Sequence, residues 1–399
     1  MREDHVRYIY GKKHPYLSLF HETSGVYVRT GLREDGSGTD QDPFMGDFPE
    51  LLDIGIMGHD RQGQCQIAGT DCCLNVTDVC QEHMLLEDFQ KIIRACEGKT
   101  YQVMLTGRGD PEQHPDFEEM VKCSRRHGIV PNITTSGVWM TAELAAVCAR
   151  YCGTVAVHST YGGTAAFGGM GGTISSCEMN GPAVSCGMGG TAAPGGCREG
   201  DAHKAVDLLL KAGVRTDFYY VLRAATIGKA VQLLETNGFP AGIHAVVFLL
   251  DMPSGTDRKE KILITDMPLW KEFFRLVDKG GYPFQIGFES CMVPGVLCHT
   301  HNIEPESLDA CEGGRWSAYI TPDLYLLPCG LVGGDKRYAV SLKDHTIEEA
   351  WNSKAFDRFR GMLQNACPDC GKRENCMGGC PLFPEMILCD QKARKNRCR

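Results

Sequence analysis

The chain lacks the marks of a membrane or secreted protein, and it has no excess of positive charge. No apolar run in its 399 residues approaches the length of a bilayer-spanning helix. The N-terminal stretch MREDHVRYIYGKKHP is charged and has no apolar centre, unlike a signal peptide. The formal net charge of −9 argues against a nucleic-acid-binding protein, which usually carries a basic patch. We therefore expect a cytoplasmic protein that binds neither nucleic acid nor membranes.

Cysteine, in contrast, is abundant, with 21 residues in the chain. Disulfides are rare in a reducing cytosol, so these thiols indicate metal ligands, catalytic groups or small core residues. Five of them lie between Cys367 and Cys389 in the pattern C-x2-C-x5-C-x3-C-x8-C. Four others lie on predicted helices, where we expect them to pack in the core: Cys96, Cys123, Cys148 and Cys152.

Apolar runs of strand length alternate with amphipathic runs of helix length through the middle of the chain. Such alternation requires a parallel sheet covered by helices, either partly closed into a barrel or open and doubly wound. In both arrangements ligands bind at the C-terminal ends of the strands. The six predicted strands are 51–57, 101–107, 129–137, 154–160, 215–222 and 243–250, and the helices that follow them are 86–96, 114–128, 141–153, 203–213, 227–238 and 268–281.

Two turns at predicted strand ends carry residues suited to binding a ligand. After the second strand comes TGRGDPEQHPDF (106–117), where Gly107 and Gly109 allow close backbone approach and Asp110 can accept hydrogen bonds from an ammonium group. After the third strand comes TTSG (134–137), a small polar turn suited to ribose hydroxyls or a carboxylate. Each turn is equally compatible with an ordinary strand-to-helix connection that caps the next helix.

These motifs together resemble the radical S-adenosylmethionine (SAM) superfamily with a SPASM extension. TGRGDPEQHPDF is similar to the GGE-type motif after the second strand of those enzymes, and TTSG is similar to the turn after their third strand. The segment CEGGRWSAYITPDLYLLPC (311–329) and the Cys-rich block 367–389 resemble the SPASM extension. The resemblance covers roughly residues 49–399. It implies an α/β fold, a partial (β/α)6 TIM-like barrel followed by a small Cys-rich iron–sulfur domain.

The resemblance also implies up to two auxiliary [4Fe–4S] clusters, each held by cysteine thiolates. One would be bound by Cys367, Cys370, Cys376 and Cys389. The other would be bound by Cys311, Cys329 and Cys380, with Cys291 or Cys298 as its fourth ligand. The alternative is a zinc-ribbon-like module with two Zn²⁺ sites.

The SAM-binding cluster is the place where the chain departs from the family pattern. The family usually has C-x3-C-x2-C after the first strand, whereas this chain has GHDRQGQCQIAGTDCCLNVTDVC (58–80). Non-cysteine ligands such as His59 or Asp60 are open alternatives, and so is a loop that binds no cluster. The candidate cysteine ligands are Cys65, Cys72, Cys73 and Cys80.

In such enzymes one electron cleaves bound SAM and yields a 5′-deoxyadenosyl radical, which takes a hydrogen atom from a substrate carbon. The resemblance implies that Gly107, Gly109 and Asp110 hold the methionyl amino group. Arg223, at the end of the fifth strand, would pair with the SAM carboxylate or form a structural ion pair. The candidates for ribose or carboxylate contacts are Thr135, Ser136 and Ser159.

The expected activity is the modification of a peptide or protein by cross-linking, epimerisation or oxidation, with a flavodoxin- or ferredoxin-type reductant. A sulfatase-maturing, formylglycine-generating enzyme and an Fe–S electron-transfer or scaffold protein are the alternatives. The expected domains are an N-terminal β-hairpin extension (1–48, hairpin at 16–31), the barrel (49–290) and the SPASM domain (291–399). A Gly- and Cys-rich insertion at 160–200 is either disordered, a lid, or a thiol-bearing metal loop.

Overall fold

The computed structural model describes residues 5–39, 43–59, 82–158, 199–250, 268–384, Met386 and Cys389. Two sheets are present in this part of the chain, a small antiparallel sheet and a large sheet of ten strands. Several candidate ligands lie outside the described residues: Asp60, Cys65, Cys72, Cys73, Cys80 and Ser159. The same holds for residues 159–198, which include almost all of the Gly-rich insertion.

The N-terminal residues form the small antiparallel sheet, with its strands in chain order. The hairpin expected at 16–31 is present, since its strands pair from Tyr16 opposite Gly31 to Phe20 opposite Tyr27. In its first strand Tyr16, Ser18 and Phe20 are buried whereas Leu19 is exposed, as the period of two in a half-buried strand requires. The strands are β1 (Val6–Tyr10), β2 (Tyr16–His21), β3 (Tyr27–Leu32) and β4 (Gly38–Thr39).

Seven strands of the large sheet are parallel and follow one another in chain order. Six of them coincide with the predicted strands to within three residues at each end. The seventh, β11, was missed because it is short and half-exposed. The strands are β5 (Leu51–Met57), β6 (Gln102–Gly107), β7 (Val130–Thr135), β8 (Val155–His158), β9 (Thr216–Leu222), β10 (Ala245–Leu250) and β11 (Gln285–Phe288).

Helices cover one face of these strands, and the core lies between the two layers. Ile54 and Leu105 point from the strands into this core, where they join Phe89 and Met120 from the helices. The four cysteines expected in the core, at 96, 123, 148 and 152, are all buried there. The helices are α1 (Leu86–Cys96), α2 (Phe117–Arg126), α3 (Ala142–Tyr151), α4 (Glu199–Lys211), α5 (Ile227–Thr236) and α6 (Pro268–Lys279).

The Cys-rich C-terminal region is built onto the same large sheet. Its first strand, β12, pairs in parallel with β5. The next strand pairs antiparallel with β12, and a third strand pairs antiparallel with that one. None of the described helices has both the length and the apolar character needed to cross a bilayer. The elements are α7 (Val293–His299), β12 (Ser317–Ile320), β13 (Tyr325–Leu327), β14 (Val340–Ser341), α8 (Ile347–Trp351), α9 (Lys354–Gln364) and α10 (Arg373–Cys376).

One arginine on β3 joins the small sheet to both other parts of the chain. Arg29 donates to Glu312 at 2.6 Å and to Asp309 at 3.2 Å, and its Nε lies 3.4 Å from Glu50. Its guanidinium also stacks over the ring of Trp316 at 4.2 Å. The Arg29 side chain is only 7% exposed and Glu312 is 15% exposed, so this ion pair lies largely out of water, whereas Asp309 remains mostly in solvent.

Glu50, at the start of β5, is the most buried carboxyl around Arg29. Its Oε1 accepts a hydrogen bond from the Ser18 hydroxyl at 2.6 Å. Burial raises the pKa of Glu50 to about 8, because the hydrogen bonds from Ser18 and Tyr16 only partly offset the cost of burying the charge. Glu50 is therefore largely protonated at neutral pH in the folded protein and ionised in the unfolded chain.

This difference predicts a pH-dependent stability that Glu50→Gln should remove. Because the pKa is raised from an ordinary value of 4.5, wild type should lose stability relative to the variant as the pH rises from about 4.5 to about 8. The loss cannot exceed about 1.4 kcal/mol per pH unit. Urea unfolding of both proteins at about pH 6 and about pH 8 measures it. Parallel pH profiles would show instead that Glu50 is ionised and paired with Arg29 in the folded state.

Candidate functional site

The turns after β6 and β7 meet at the C-terminal edge of the sheet. Asp110 Oδ1 accepts a hydrogen bond from the main-chain N–H of Ser136 at 2.7 Å, and Oδ2 accepts one from the Ser136 hydroxyl at 2.5 Å. Beside this pair, the Thr135 hydroxyl donates to Glu112 Oε1 at 2.5 Å. All four residues are buried. The structure thus brings together three of the residues that the sequence nominated, and adds Glu112.

The two carboxyl groups at this edge differ in their surroundings. Burial raises the pKa of Asp110 to about 6, and both hydrogen bonds from Ser136 oppose that rise. Burial and the neighbouring Asp110 raise the pKa of Glu112 well above its ordinary range. At neutral pH Asp110 is therefore mainly ionised and Glu112 protonated. A carboxylate that accepts two hydrogen bonds keeps room for further donors, so Asp110 can also receive an ammonium group.

A glycine is required at Gly107, the last residue of β6, because the neighbouring parallel strand β5 lies very close to it. Its φ is +136°, and a Cβ built on it would lie 2.3 Å from the carbonyl oxygen of Met57 on β5. The main-chain N–H of Arg108 donates to the same oxygen at 2.8 Å. Gly107 therefore sets the close approach of β5 and β6 at the edge, whereas Gly109 is half-buried in the turn that follows.

We expect Gly107→Ala to destabilise the protein much more than Gly98→Ala. Gly98 also has a positive φ, +70°, but a Cβ there meets nothing within 4 Å. Gly98→Ala should cost about 1 kcal/mol of backbone strain, and Gly107→Ala should cost at least about 2 kcal/mol more because it adds a steric overlap. Urea unfolding measures both. Equal losses would mean that the two strands can separate at this point without cost.

Arg223 lies at the same edge, immediately after β9. Its main-chain N–H donates to the Thr226 hydroxyl at 3.0 Å, and its carbonyl accepts from the N–H groups of Thr226 and Ile227, which opens α5. The residue is buried, with 7% of its surface exposed. Its backbone therefore starts α5 at this edge of the sheet.

Two histidines flank the loop that carries the candidate SAM-cluster cysteines. His59 follows β5 and His83 precedes α1, and their rings lie 4.2 Å apart between centroids. His83 Nδ1 accepts a hydrogen bond from the N–H of Gly58 at 3.1 Å, so the two ends of the loop are held together. Burial and the nearby His59 and His114 lower the pKa of His83. Cys65, Cys72, Cys73, Cys80 and Asp60 lie outside the described residues.

Four cysteines from separate segments line one cavity next to β12. The cavity encloses about 500 Å³, its solvent-facing mouth included. The sequence left Cys291 and Cys298 as candidates for the fourth ligand of this cluster. Within the part of the chain that the structure describes, Cys291 lines the cavity and Cys298 does not. Asp53 of β5 lies in the same wall, which puts the cavity against the inner side of the barrel. The four cysteines are Cys291, Cys311, Cys329 and Cys380.

These thiols are costly to ionise without a metal. Burial raises the pKa of Cys311 to about 12 and that of Cys329 well above its ordinary value. Cys291 and Cys380 are hydrogen-bonded to each other, which raises the pKa of Cys291 and lowers that of Cys380. Iron supplies the positive charge that stabilises buried thiolates, so this set fits an iron–sulfur cluster.

Within the described residues, no three His, Cys, Asp or Glu side chains are arranged to hold a single metal ion. A single zinc ion needs all its ligands about one point, with Zn–S distances of about 2.3 Å. A cubane cluster needs its thiolates farther apart, because each binds a different iron. The four-cysteine cavity therefore fits a cluster better than it fits the zinc alternative.

Sequence reasoning missed Glu289, which connects the barrel to this cavity. It follows β11, and its Oε2 accepts a hydrogen bond from the N–H of Leu250 at the end of β10, at 2.9 Å. Its carboxylate also accepts a hydrogen bond from the Cys291 thiol. Burial raises the pKa of Glu289 to about 7. An acidic residue just before a candidate cysteine ligand was the only sequence signal for this role.

The remaining cysteines of the C-terminal block lie around α10 and are half-buried. The N–H of Cys370 donates to the carbonyl of Cys367 at 3.1 Å, which forms a tight turn before the helix. Burial raises the pKa of Cys376 to about 12, and the neighbouring thiols of Cys389, Cys298 and Cys367 raise it further. Cys298, from α7, therefore lies beside this second group of thiols.

Comparisons with known proteins agree with this arrangement. Residues 311–377 match the family model of SPASM, an iron–sulfur cluster-binding domain. The structure of Streptococcus suis SuiB bound to S-adenosylmethionine is similar over 98% of this chain and 99% of that one, with a TM-score of 0.65 and 12% identity. The same protein bound to the precursor peptide SuiA matches with a TM-score of 0.64 and 12% identity over 95% of each chain.

A second solved protein has the same architecture. Native anSMEcpe with bound AdoMet matches 88% of this chain and 96% of its own, with a TM-score of 0.54 and 14% identity. At such identities the likeness concerns the fold. The fold expected from the sequence, a partial α/β barrel followed by a small Cys-rich segment that matches the SPASM model, is thereby confirmed.

Proposed function

We propose that this protein is a radical SAM enzyme that modifies a peptide or protein substrate. The observation that carries the proposal is the cavity lined by Cys291, Cys311, Cys329 and Cys380 within the barrel-and-SPASM fold. The four thiols come from separate segments of the chain, and burial raises the pKa of Cys311 and Cys329, so a bound metal would stabilise their thiolates.

The edge of the barrel supports the SAM part of the proposal. When bound at the 58–80 loop, a reduced [4Fe–4S] cluster supplies the electron that cleaves SAM to the 5′-deoxyadenosyl radical. Asp110, held in place by Ser136, accepts hydrogen bonds from the methionyl ammonium. Gly109 lets the backbone approach the ligand, and Arg223 pairs with its carboxylate. Asp110 and Arg223 are themselves buried, which would limit the access of water to a ligand that they bind.

A peptide substrate is the second part of the proposal. SuiB has been solved with the precursor peptide SuiA, and anSMEcpe with AdoMet and a peptide named Cp18Cys. Because this chain shares their fold over most of its length, we propose that it also acts on a peptide or protein. The bond made is a thioether or carbon–carbon cross-link, an epimerised centre or an oxidised side chain. A flavodoxin- or ferredoxin-type protein would supply the electron.

Two alternatives differ from this proposal in a measurable way. A sulfatase-maturing enzyme would oxidise a Cys or Ser in its substrate to formylglycine, which mass spectrometry of the treated peptide distinguishes from a cross-link. An Fe–S electron-transfer or scaffold protein would hold the auxiliary clusters and cleave no SAM. The unusual spacing of the cysteines in the 58–80 loop is the feature that keeps this second alternative open.

The first test is iron content together with SAM cleavage. Protein reconstituted anaerobically should hold three clusters, or about twelve irons per chain, and with dithionite it should release 5′-deoxyadenosine. Replacing both Cys311 and Cys329 by Ala should remove about four irons, whereas Cys123→Ala, in the core on α2, should remove none. Stoichiometric zinc without iron would contradict the proposal. Full auxiliary clusters without any deoxyadenosine would establish the scaffold alternative.

The second test is the affinity for SAM, measured by equilibrium dialysis of the reconstituted protein. Asp110→Asn removes a charge-assisted hydrogen bond worth about 1.5–3 kcal/mol, so the affinity should fall by roughly 10- to 150-fold. Asp116→Asn is the matched control, because Asp116 lies in the same turn, is half-buried, and its side chain forms no cap to α2. Equal affinities in the two variants would remove Asp110 from the SAM site.

A further inference from the structure

The turn that begins at Cys311 is held by a buried arginine. Arg315 is only 2% exposed. Its Nη1 donates to the carbonyl oxygen of Cys311 at 3.2 Å, and its Nε donates to the carbonyl oxygen of Phe44 at 2.6 Å. The guanidinium also lies over the ring of Phe44, 5.0 Å from its centroid. Because a guanidinium does not lose its proton in proteins, a permanent positive charge is fixed at this turn.

The contact with Cys311 limits the distance between this charge and the cysteine cavity. Ordinary bond lengths allow about 5 Å at most between the carbonyl oxygen and the sulfur of one cysteine. Nη1 of Arg315 therefore lies within roughly 8 Å of the Cys311 sulfur. Since Cys311 lines the cavity, a cluster bound there would lie close to the guanidinium.

Negative groups surround the cavity on its other sides. Asp53 and Glu312 line it, as does Cys291, which follows the buried Glu289 by two residues. A cluster with four thiolate ligands carries a net negative charge itself, and its reduction adds one more. The carboxylates therefore oppose the uptake of an electron, whereas the Arg315 guanidinium favours it.

We propose that Arg315 raises the reduction potential of the cluster bound in the cavity and so keeps that cluster able to accept an electron. This inference rests on the proposed function only in assuming that the cluster is present. The role is electrostatic, because a nearby positive charge stabilises the reduced form more than the oxidised form. The cavity cluster is then a redox centre of the protein, and Arg315 is a positioning residue that tunes it.

Coulomb's law gives the expected size of the effect. A unit charge about 10 Å from the added electron, at an effective dielectric constant of about 20, changes an equilibrium constant by roughly tenfold. For a one-electron couple a tenfold change corresponds to about 59 mV. Removing the charge of Arg315 should therefore lower the midpoint potential by about this amount.

Arg360 provides a matched control on the same turn. It is also buried, with 4% of its surface exposed, and its Nε donates to the carbonyl oxygen of Gly314 at 2.6 Å. Its guanidinium likewise lies over an aromatic ring, that of Trp351. Its Nη1, however, is 3.2 Å from Asp357, so its charge is balanced by a carboxylate. Replacing Arg360 removes a similar buried contact but changes the local charge less.

The test is the midpoint potential of the cavity cluster, measured on the reconstituted full-length protein by redox titration with electron paramagnetic resonance (EPR). The EPR signal that disappears when Cys311 and Cys329 are both replaced by Ala identifies this cluster. At the wild-type midpoint, the ratio of reduced to oxidised cluster should fall about tenfold in Arg315→Gln, a shift of about 59 mV. Arg360→Gln should stay near wild type, and Arg315→Lys, which keeps the charge, should stay closer to wild type than Arg315→Gln.

Two results would overturn the inference while the proposed function stands. One is an unchanged potential in Arg315→Gln with full iron content. The other is an equal fall in Arg360→Gln, because the loss of a buried contact to the turn would then be the cause.

A second neutral variant keeps the test valid if Arg315→Gln does not fold. Arg315→Met retains a long side chain to pack against Phe44, and its potential should fall as in Arg315→Gln. If neither variant holds iron in the cavity while Arg360→Gln does, Arg315 is needed to form the site and the inference is overturned. If the wild type itself binds no iron, the proposed function fails and this inference with it.

Discussion

The parallel pairing of β12 with β5 is the constraint on which both halves of the candidate site depend. The two strands align from Ser317 opposite Leu51 to Ile320 opposite Ile54. Because β5 also leads to the 58–80 loop, the same strand carries the candidate SAM-cluster loop at its end and Asp53 in the wall of the cysteine cavity. The distance between the barrel edge and the cavity is therefore set by a hydrogen-bonded sheet and not by a flexible linker.

Arg29, on β3 of the small N-terminal sheet, supports the pairing of β5 with β12. It contacts Glu50, which precedes β5, and Glu312, which adjoins Cys311 and precedes β12. A single guanidinium thus spans the starts of the two paired strands, and its planar shape allows it to contact both acidic side chains at once. The small N-terminal sheet is consequently part of the support of the cysteine cavity, although the sequence presented it only as an appended hairpin.

The sequence predicted the local elements well because their causes are local. The strands of the barrel are continuous apolar runs, as strands buried on both faces must be, and the amphipathic runs between them are the helices. Pairing between β12 and β5 joins residues more than 250 positions apart, and no local pattern encodes it. For the same reason the sequence could nominate both Cys291 and Cys298 for one cluster but could not place them.

The candidate site was predicted less completely, since burial decides its chemistry. Asp110 and Ser136 were nominated from their turns, and they are in contact. Glu112 lies in the same turn as Asp110 and was not nominated, yet the fold buries it against Thr135. Glu289 follows a strand that the sequence did not predict, and it joins β10 to Cys291. Neither role can be read from residue type, because the cost of burying a carboxyl depends on partners brought in by distant strands.

Buried carboxyls and buried thiols impose the same physical requirement on this molecule. Burial raises the pKa of both Asp110 and Cys311, so the charged form of each is costly in the empty fold and is stabilised when a positive charge arrives. An ammonium group at the barrel edge and iron in the cysteine cavity would each supply that charge. Burying these ionisable groups therefore lowers the stability of the folded protein. Binding of a cationic ligand offsets this loss, because a ligand that binds only the folded state stabilises it. The proposed chemistry accordingly depends on residues whose burial destabilises the folded protein when no ligand is bound.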